Sequence, residues 1–173
     1  MDQEEAVEVI AQADERERDE RAKRLVELGQ LLGDETVGFS GQAASWLFED
    51  VKATWLYGYF TASVVTARAF CLRQLAGLML MLPDEPELPD TIDSLEELAA
   101  LCDARGLIDL ELRATLVALH DAALAYTSVG LHEQDQRLER RLIDGEIIGA
   151  DDHQLLADAR SALGCCVALV HRR

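Results

Sequence analysis

Residues Trp46 to Leu82 read WLFEDVKATWLYGYFTASVVTARAFCLRQLAGLMLML. The stretch holds no proline and carries no charge from Ala53 to Ala67. As one helix it would run about 55 Å, at ~1.5 Å per residue. Apolar residues fall in nearly every direction around that axis, so it is expected to be buried on most sides, with other helices packed around it. Trp46, Trp55, Tyr57, Tyr59, Phe60 and Phe70 read as core residues because their neighbours are apolar. Gly58, Ala62, Ser63, Ala67 and Ala69 form a near-helical row of small side chains on which another backbone can pack, within the fold or across a dimer. Arg68 and Arg73 interrupt the run before the roughly 18–20 apolar residues of a membrane span accumulate, so the reading is a core helix.

On the N-terminal side, residues 3–32 read as one helix with two characters. Asp14 to Arg24 holds five acids and five bases. Asp14–Arg18, Glu17–Arg21, Asp19–Lys23 and Glu20–Arg24 stand four apart with the acid first, the order that supports a solvated helix. Leu25, Leu28, Leu31 and Leu32 then make a stripe that docks on the core, and Gly33 is a natural stop. This divides the chain into a charged helix, 1–33, and a helical domain, 34–173. Ser40 is the expected N-cap of the next helix, with Phe39 and Ala44 as a hydrophobic staple. Gly38-Phe39-Ser40-Gly41 is half of a nucleophile elbow, but it lacks the second glycine and a preceding strand.

On the C-terminal side, Pro83, Pro86 and Pro89 break the helix, since proline lacks the N–H and clashes with the preceding turn. The acids between Asp84 and Asp93 do not follow the alternation of a calcium loop. Ser94 and Glu97 form a capping box for a helix ending near Gly106, with Leu95, Leu98, Ala99 and Cys102 on its apolar face. A further helix runs from about Asp109 to Ser128, burying Leu112, Leu116, Leu119 and Ala123, and Gly130 ends it. Residues 133–143 read as helical. Asp151 with Gln154 caps a last helix that buries Leu155, Leu156, Ala159, Leu163, Val167 and Val170. The fold class is therefore all-α: an up-and-down helical bundle around a long central helix, about 46–82.

The net charge of −17 disfavours counterion-driven binding to DNA or RNA and to anionic membrane. Its 33 acids stand against 14 arginines and only Lys23 and Lys52, a balance that fits salt adaptation, a GC-rich genome or a solubilising surface. Cys71, Cys102, Cys165 and Cys166 include no C-x-x-C pair and no zinc spacing, so they read as buried thiols of a reducing cytoplasm. The acidic start, MDQEEAVEVI, is not that of a signal peptide. His120, His132, His153 and His171 have neither a Glu three residues before them nor a second His four away, which argues against di-metal and zinc helices. No metal or cofactor is expected. Arg137, Arg140 and Arg141 could hold an anion, but Glu133, Asp135 and Glu139 beside them favour a salt-bridged surface.

The run Tyr57-Gly58-Tyr59-Phe60-Thr61-Ala62-Ser63-Val64-Val65-Thr66-Ala67-Arg68 resembles the long helix of the HEPN-like superfamily, as do Ser94–Leu98, Gly106–Asp109 and the Ala/Leu-rich last helix. The likeness spans about residues 40–172 and is closest to stand-alone helical domains of unknown function. Active members of that superfamily are metal-independent ribonucleases carrying Arg, a polar residue, and a His after a gap of four to six, paired across a dimer. Here only Arg113 and His120 meet the spacing, with Ala114 where the polar residue belongs. On that resemblance Arg113 would stabilise the phosphorane charge and His120 would act as general acid or base. The departure from the motif favours a non-catalytic, cytoplasmic module that forms a homodimer and works through protein contacts, in host defence or toxin–antitoxin regulation. The ribonuclease is the alternative, and RNA is expected only under it. A third reading is an acidic, antitoxin- or inhibitor-like protein that neutralises a partner.

Overall fold

The computed structural model describes residues 3–34, 36–83, 94–128 and 152–172. Six helices are described: α1 (Gln3–Leu32), α2 (Gln42–Leu56), α3 (Phe60–Leu80), α4 (Leu95–Ala104), α5 (Leu110–Ser128) and α6 (Asp152–Val170). No strand occurs among the described residues, and the fold is an all-α bundle. The readings placed on the 84–93 acidic loop, Gly130, His132, residues 133–143 with Arg137, Arg140 and Arg141, and Asp151 lie outside the described residues.

The expected 46–82 helix is two helices. Gly58 takes φ 76°, a left-handed conformation that glycine adopts without a Cβ penalty. Around it the Tyr59 N–H reaches back to the Thr54 carbonyl at 2.9 Å and the Gly58 N–H to the Trp55 carbonyl at 3.1 Å. This paired closure is a Schellman stop, so Gly58 ends α2 instead of offering a packing notch. The chain then reverses, and α3 lies against α2. Gly106 repeats the device at the end of α4, with φ 71° and the Leu107 N–H on the Cys102 carbonyl at 2.9 Å.

α3 is the centre of the bundle, in contact with α2, α4, α5 and α6. It buries Val64, Ala67, Phe70, Cys71, Leu75 and Met79. By length and composition α3 could cross a membrane, with a mean hydropathy of 1.2 over its most apolar window. Within the bundle 44% of that window is buried, and α3 has four helical neighbours and a buried Gln74. Phe39, Phe48 and Phe70 pack in series as tilted rings, at 5.5 and 5.4 Å between ring centres, and join α2 to α3. The predicted faces of α4 (Leu95, Leu98, Ala99, Cys102) and α5 (Leu112, Leu116, Leu119, Ala123) are all buried, as are Ala159, Leu163, Val167 and Val170 of α6.

The entry to α2 departs from the sequence reading. Gly41, not Ser40, is the N-cap, and no side chain caps that end. Ser40 is drawn instead onto α3. Its N–H and hydroxyl both donate to Gln74 Oε1, at 2.9 and 3.1 Å, and Gln74 Nε2 donates to the Gly38 carbonyl at 3.0 Å. The Gly38 N–H in turn donates to the Val170 carbonyl at 2.7 Å, which fixes the end of α6 to the same loop. Gly77 makes this approach possible: a Cβ there would lie 2.3 Å from Ser40 Cβ.

Candidate functional site

Arg113 and His120, which would be catalytic only under the ribonuclease alternative, sit on α5 and are held by different neighbours. Arg113 Nη1 donates to Asp103 Oδ2 of α4 at 3.0 Å. His120 is 9% exposed, and its Nδ1 accepts from Arg68 Nε of α3 at 3.1 Å. Arg68 Nε can only donate, so Nδ1 is the acceptor in this contact. His120 therefore meets an arginine, but Arg68 rather than Arg113. The sequence-based pairing counted spacing along one helix, whereas this contact crosses between two.

The described surface offers a different feature at the turn between α2 and α3. Tyr57 and Tyr59 are 54% and 64% exposed, contrary to the expectation that they lie in the core, and their rings stack with centres 6.3 Å apart. Trp46 is exposed as well. Trp55 and Phe60, on either side of the turn, point inward and meet at 5.8 Å. The alternation follows from the chain reversal: the left-handed Gly58 throws its two neighbours outward while the helix ends beside them stay on the core.

α1 pins this turn. Arg24 Nε donates to the Leu56 carbonyl at 3.0 Å, and its guanidinium lies over the Phe60 ring at 5.7 Å. The Leu56 carbonyl is one of the last of α2, so the cation also meets the negative end of that helix. Trp55 Nε1 returns a hydrogen bond to the Arg24 carbonyl at 3.2 Å. Arg21 covers the Tyr57 ring at 5.7 Å while pairing with Asp14 at 3.3 Å and Glu17 at 3.8 Å. Arg160 of α6 forms an ion pair with Glu27 and lies over Trp55 at 5.9 Å. Of the four expected spacings in α1, the Glu17–Arg21 pair is present. Lys23 pairs with Glu20 at 2.6 Å, and Arg24 has left the helix surface for the turn. Leu28 is the stripe residue that is fully docked, with Leu32 packed beside the core, while Leu25 and Leu31 are exposed.

The four cysteines are all free and buried. Cys71 Sγ and Cys166 Sγ are 4.0 Å apart across the α3–α6 contact. Burial pushes the Cys71 and Cys165 thiols well up from their ordinary value and Cys102 up to about 11, so all three are protonated at neutral pH. Among the described residues no group of three His, Cys, Asp or Glu side chains is placed to hold a metal ion.

At the open end of α5, Asp109 accepts from the Leu112 N–H at 2.8 Å and forms an ion pair with Arg172. The Leu112 N–H first, and the Arg172 guanidinium second, hold the Asp109 carboxyl below its ordinary value. A groove of about 400 Å³ opens here between α5 and α6, with Leu112, Gly164, Cys165 and Ala168 among its walls.

No protein-family model, curated protein or solved structure matches this chain.

Proposed function

We propose that the chain is a HEPN-like helical module that self-associates and works through protein contacts in the cytoplasm, without catalysis of its own. The observation that carries this reading is the tyrosine pair at the α2–α3 turn. Tyrosine and arginine are the residue types that dominate contact energy at protein interfaces. Here Tyr57 and Tyr59 are exposed, stacked, and set on a backbone that Gly58 closes and Arg24 holds. Little side-chain freedom is left to lose on association, which favours affinity. Light scattering at tens of micromolar should report a dimer. Tyr57→Ser with Tyr59→Ser should return it to monomer with the helical circular-dichroism signal unchanged. A wild-type monomer under those conditions would overturn the reading.

One contact favours the ribonuclease as a second reading, in altered form. Arg68 and His120 meet at 3.1 Å, so the arginine beside the histidine comes from α3. RNA cleavage lost in both Arg68→Ala and His120→Ala but retained in Arg113→Ala, with circular dichroism unchanged, would establish it and displace the first reading.

A further inference from the structure

We propose that Cys71 and Cys166 form an oxidant-driven disulfide that locks α3 to α6 across the core. The two sulfurs already touch, at 4.0 Å, from helices on opposite sides of a buried contact. A bond needs a separation of about 2.05 Å, so the two sulfurs must close by about 2 Å. Both side chains are fully buried, and Cys166 otherwise faces the Ala67 carbonyl at 4.0 Å.

The groove between α5 and α6 supplies the way in. Cys165, next in the chain to Cys166, is one of its lining residues, and Gly164 leaves open space beside it. A small peroxide, the oxidant we name, enters there, one residue away in the chain from the fully buried Cys166. The Cys166 sulfur attacks one peroxide oxygen. The S–O bond forms, the O–O bond breaks and water departs, which leaves a sulfenic acid. Cys71 then attacks that sulfur. The S–S bond forms, the S–O bond breaks, and the departing oxygen leaves as a second water with the remaining thiol proton. Two thiols are oxidised and one peroxide is reduced to two waters. Burial keeps the Cys71 thiol protonated and both side chains out of solvent, so the reaction is slow beside that of an exposed cysteine. That slowness is what a lock set by sustained oxidation requires. The inference does not depend on the proposed function.

The test exposes folded, purified protein to millimolar hydrogen peroxide, blocks the remaining thiols and reads intact mass and peptide map. The expected result is a mass lower by two hydrogens and a bridge mapped to Cys71–Cys166. The melting temperature should rise by roughly 5–10 °C, because a cross-link spanning most of the chain restricts the unfolded state. Cys166→Ala should abolish the bridge and Cys165→Ala should leave it. Unchanged mass, oxygen addition alone, a bridge to Cys165 or Cys102, or reaction only in denaturant would each overturn the proposal. The wild-type map decides the question even if a cysteine variant fails to fold.

Discussion

Gly77 and Gln74 carry consequences out of proportion to their size. Both lie on α3 and both serve the loop before α2. Ser40 approaches α3 so closely that a methyl group at position 77 would overlap its Cβ at 2.3 Å and crowd its carbonyl at 2.9 Å. Gly77→Ala should therefore destabilise the protein by about 1–3 kcal/mol, the usual range for overpacking, even though alanine is the better helix former. The double variant with Ser40→Gly should recover only part of that in urea unfolding, because the carbonyl conflict remains. Full recovery would show that the side chain alone sets the limit. Neither residue stood out in the sequence. A lone glutamine in an apolar run reads as a solvent-facing position, and a glycine near a helix end reads as a weak spot. What distinguishes them is a loop some 35 residues earlier, and nothing in local spacing encodes that partner. Ser94 is the contrary case. Its hydroxyl accepts from the Glu97 N–H at 3.2 Å, as the capping box predicts, because donor and acceptor are three residues apart.

Helices were the most legible elements, and the break between α2 and α3 was the least. Their faces follow from periodicity, which is local. The 46–82 stretch offered no proline and no polar gap, so one helix was the natural reading, and Gly58 looked like a packing notch. The signal that could have found the break was the glycine itself between two large aromatics, since a Schellman stop needs only one residue in the left-handed region. The choice between an interior and a terminal glycine is then made by distant groups, chiefly Arg24. By spacing that arginine is half of a surface ion pair with Glu20, whereas in the fold it is the clasp between α1 and the turn. Arg24→Ala should remove a charge-assisted hydrogen bond worth about 1.5–3 kcal/mol and the cover over Phe60. Hydrogen exchange should quicken first in α1 and around residues 56–60, with α4, α5 and the core of α3 still protected. Uniform acceleration across all helices would mean that α1 is integral to the bundle and not a docked arm.

At the scale of the whole molecule the question is how the bundle closes while carrying a net charge of −17. The α4–α5 corner and the end of α6 meet through Asp109, which caps α5 through the Leu112 N–H and pairs with Arg172, whose guanidinium also donates to the Leu107 carbonyl at 3.4 Å. The carboxyl is held below its ordinary value of 3.8. A depressed carboxyl stabilises the folded state in full above its unfolded-chain value, and that share is lost as pH falls through the lower folded value. Acid also neutralises the other carboxylates and relieves their mutual repulsion, so the wild-type curve alone mixes two opposing trends. Comparison with Asp109→Asn separates them, because both proteins share the general relief and only one has the titrating cap. The stability gap between wild type and variant in denaturant melts should be constant from neutral pH to about pH 5 and should close progressively below 3.8. A gap that stays open at the lowest pH would assign the effect of Asp109 to the shape of its side chain. A gap that closes well above pH 5 would mean that another group, not this carboxylate, governs the closure.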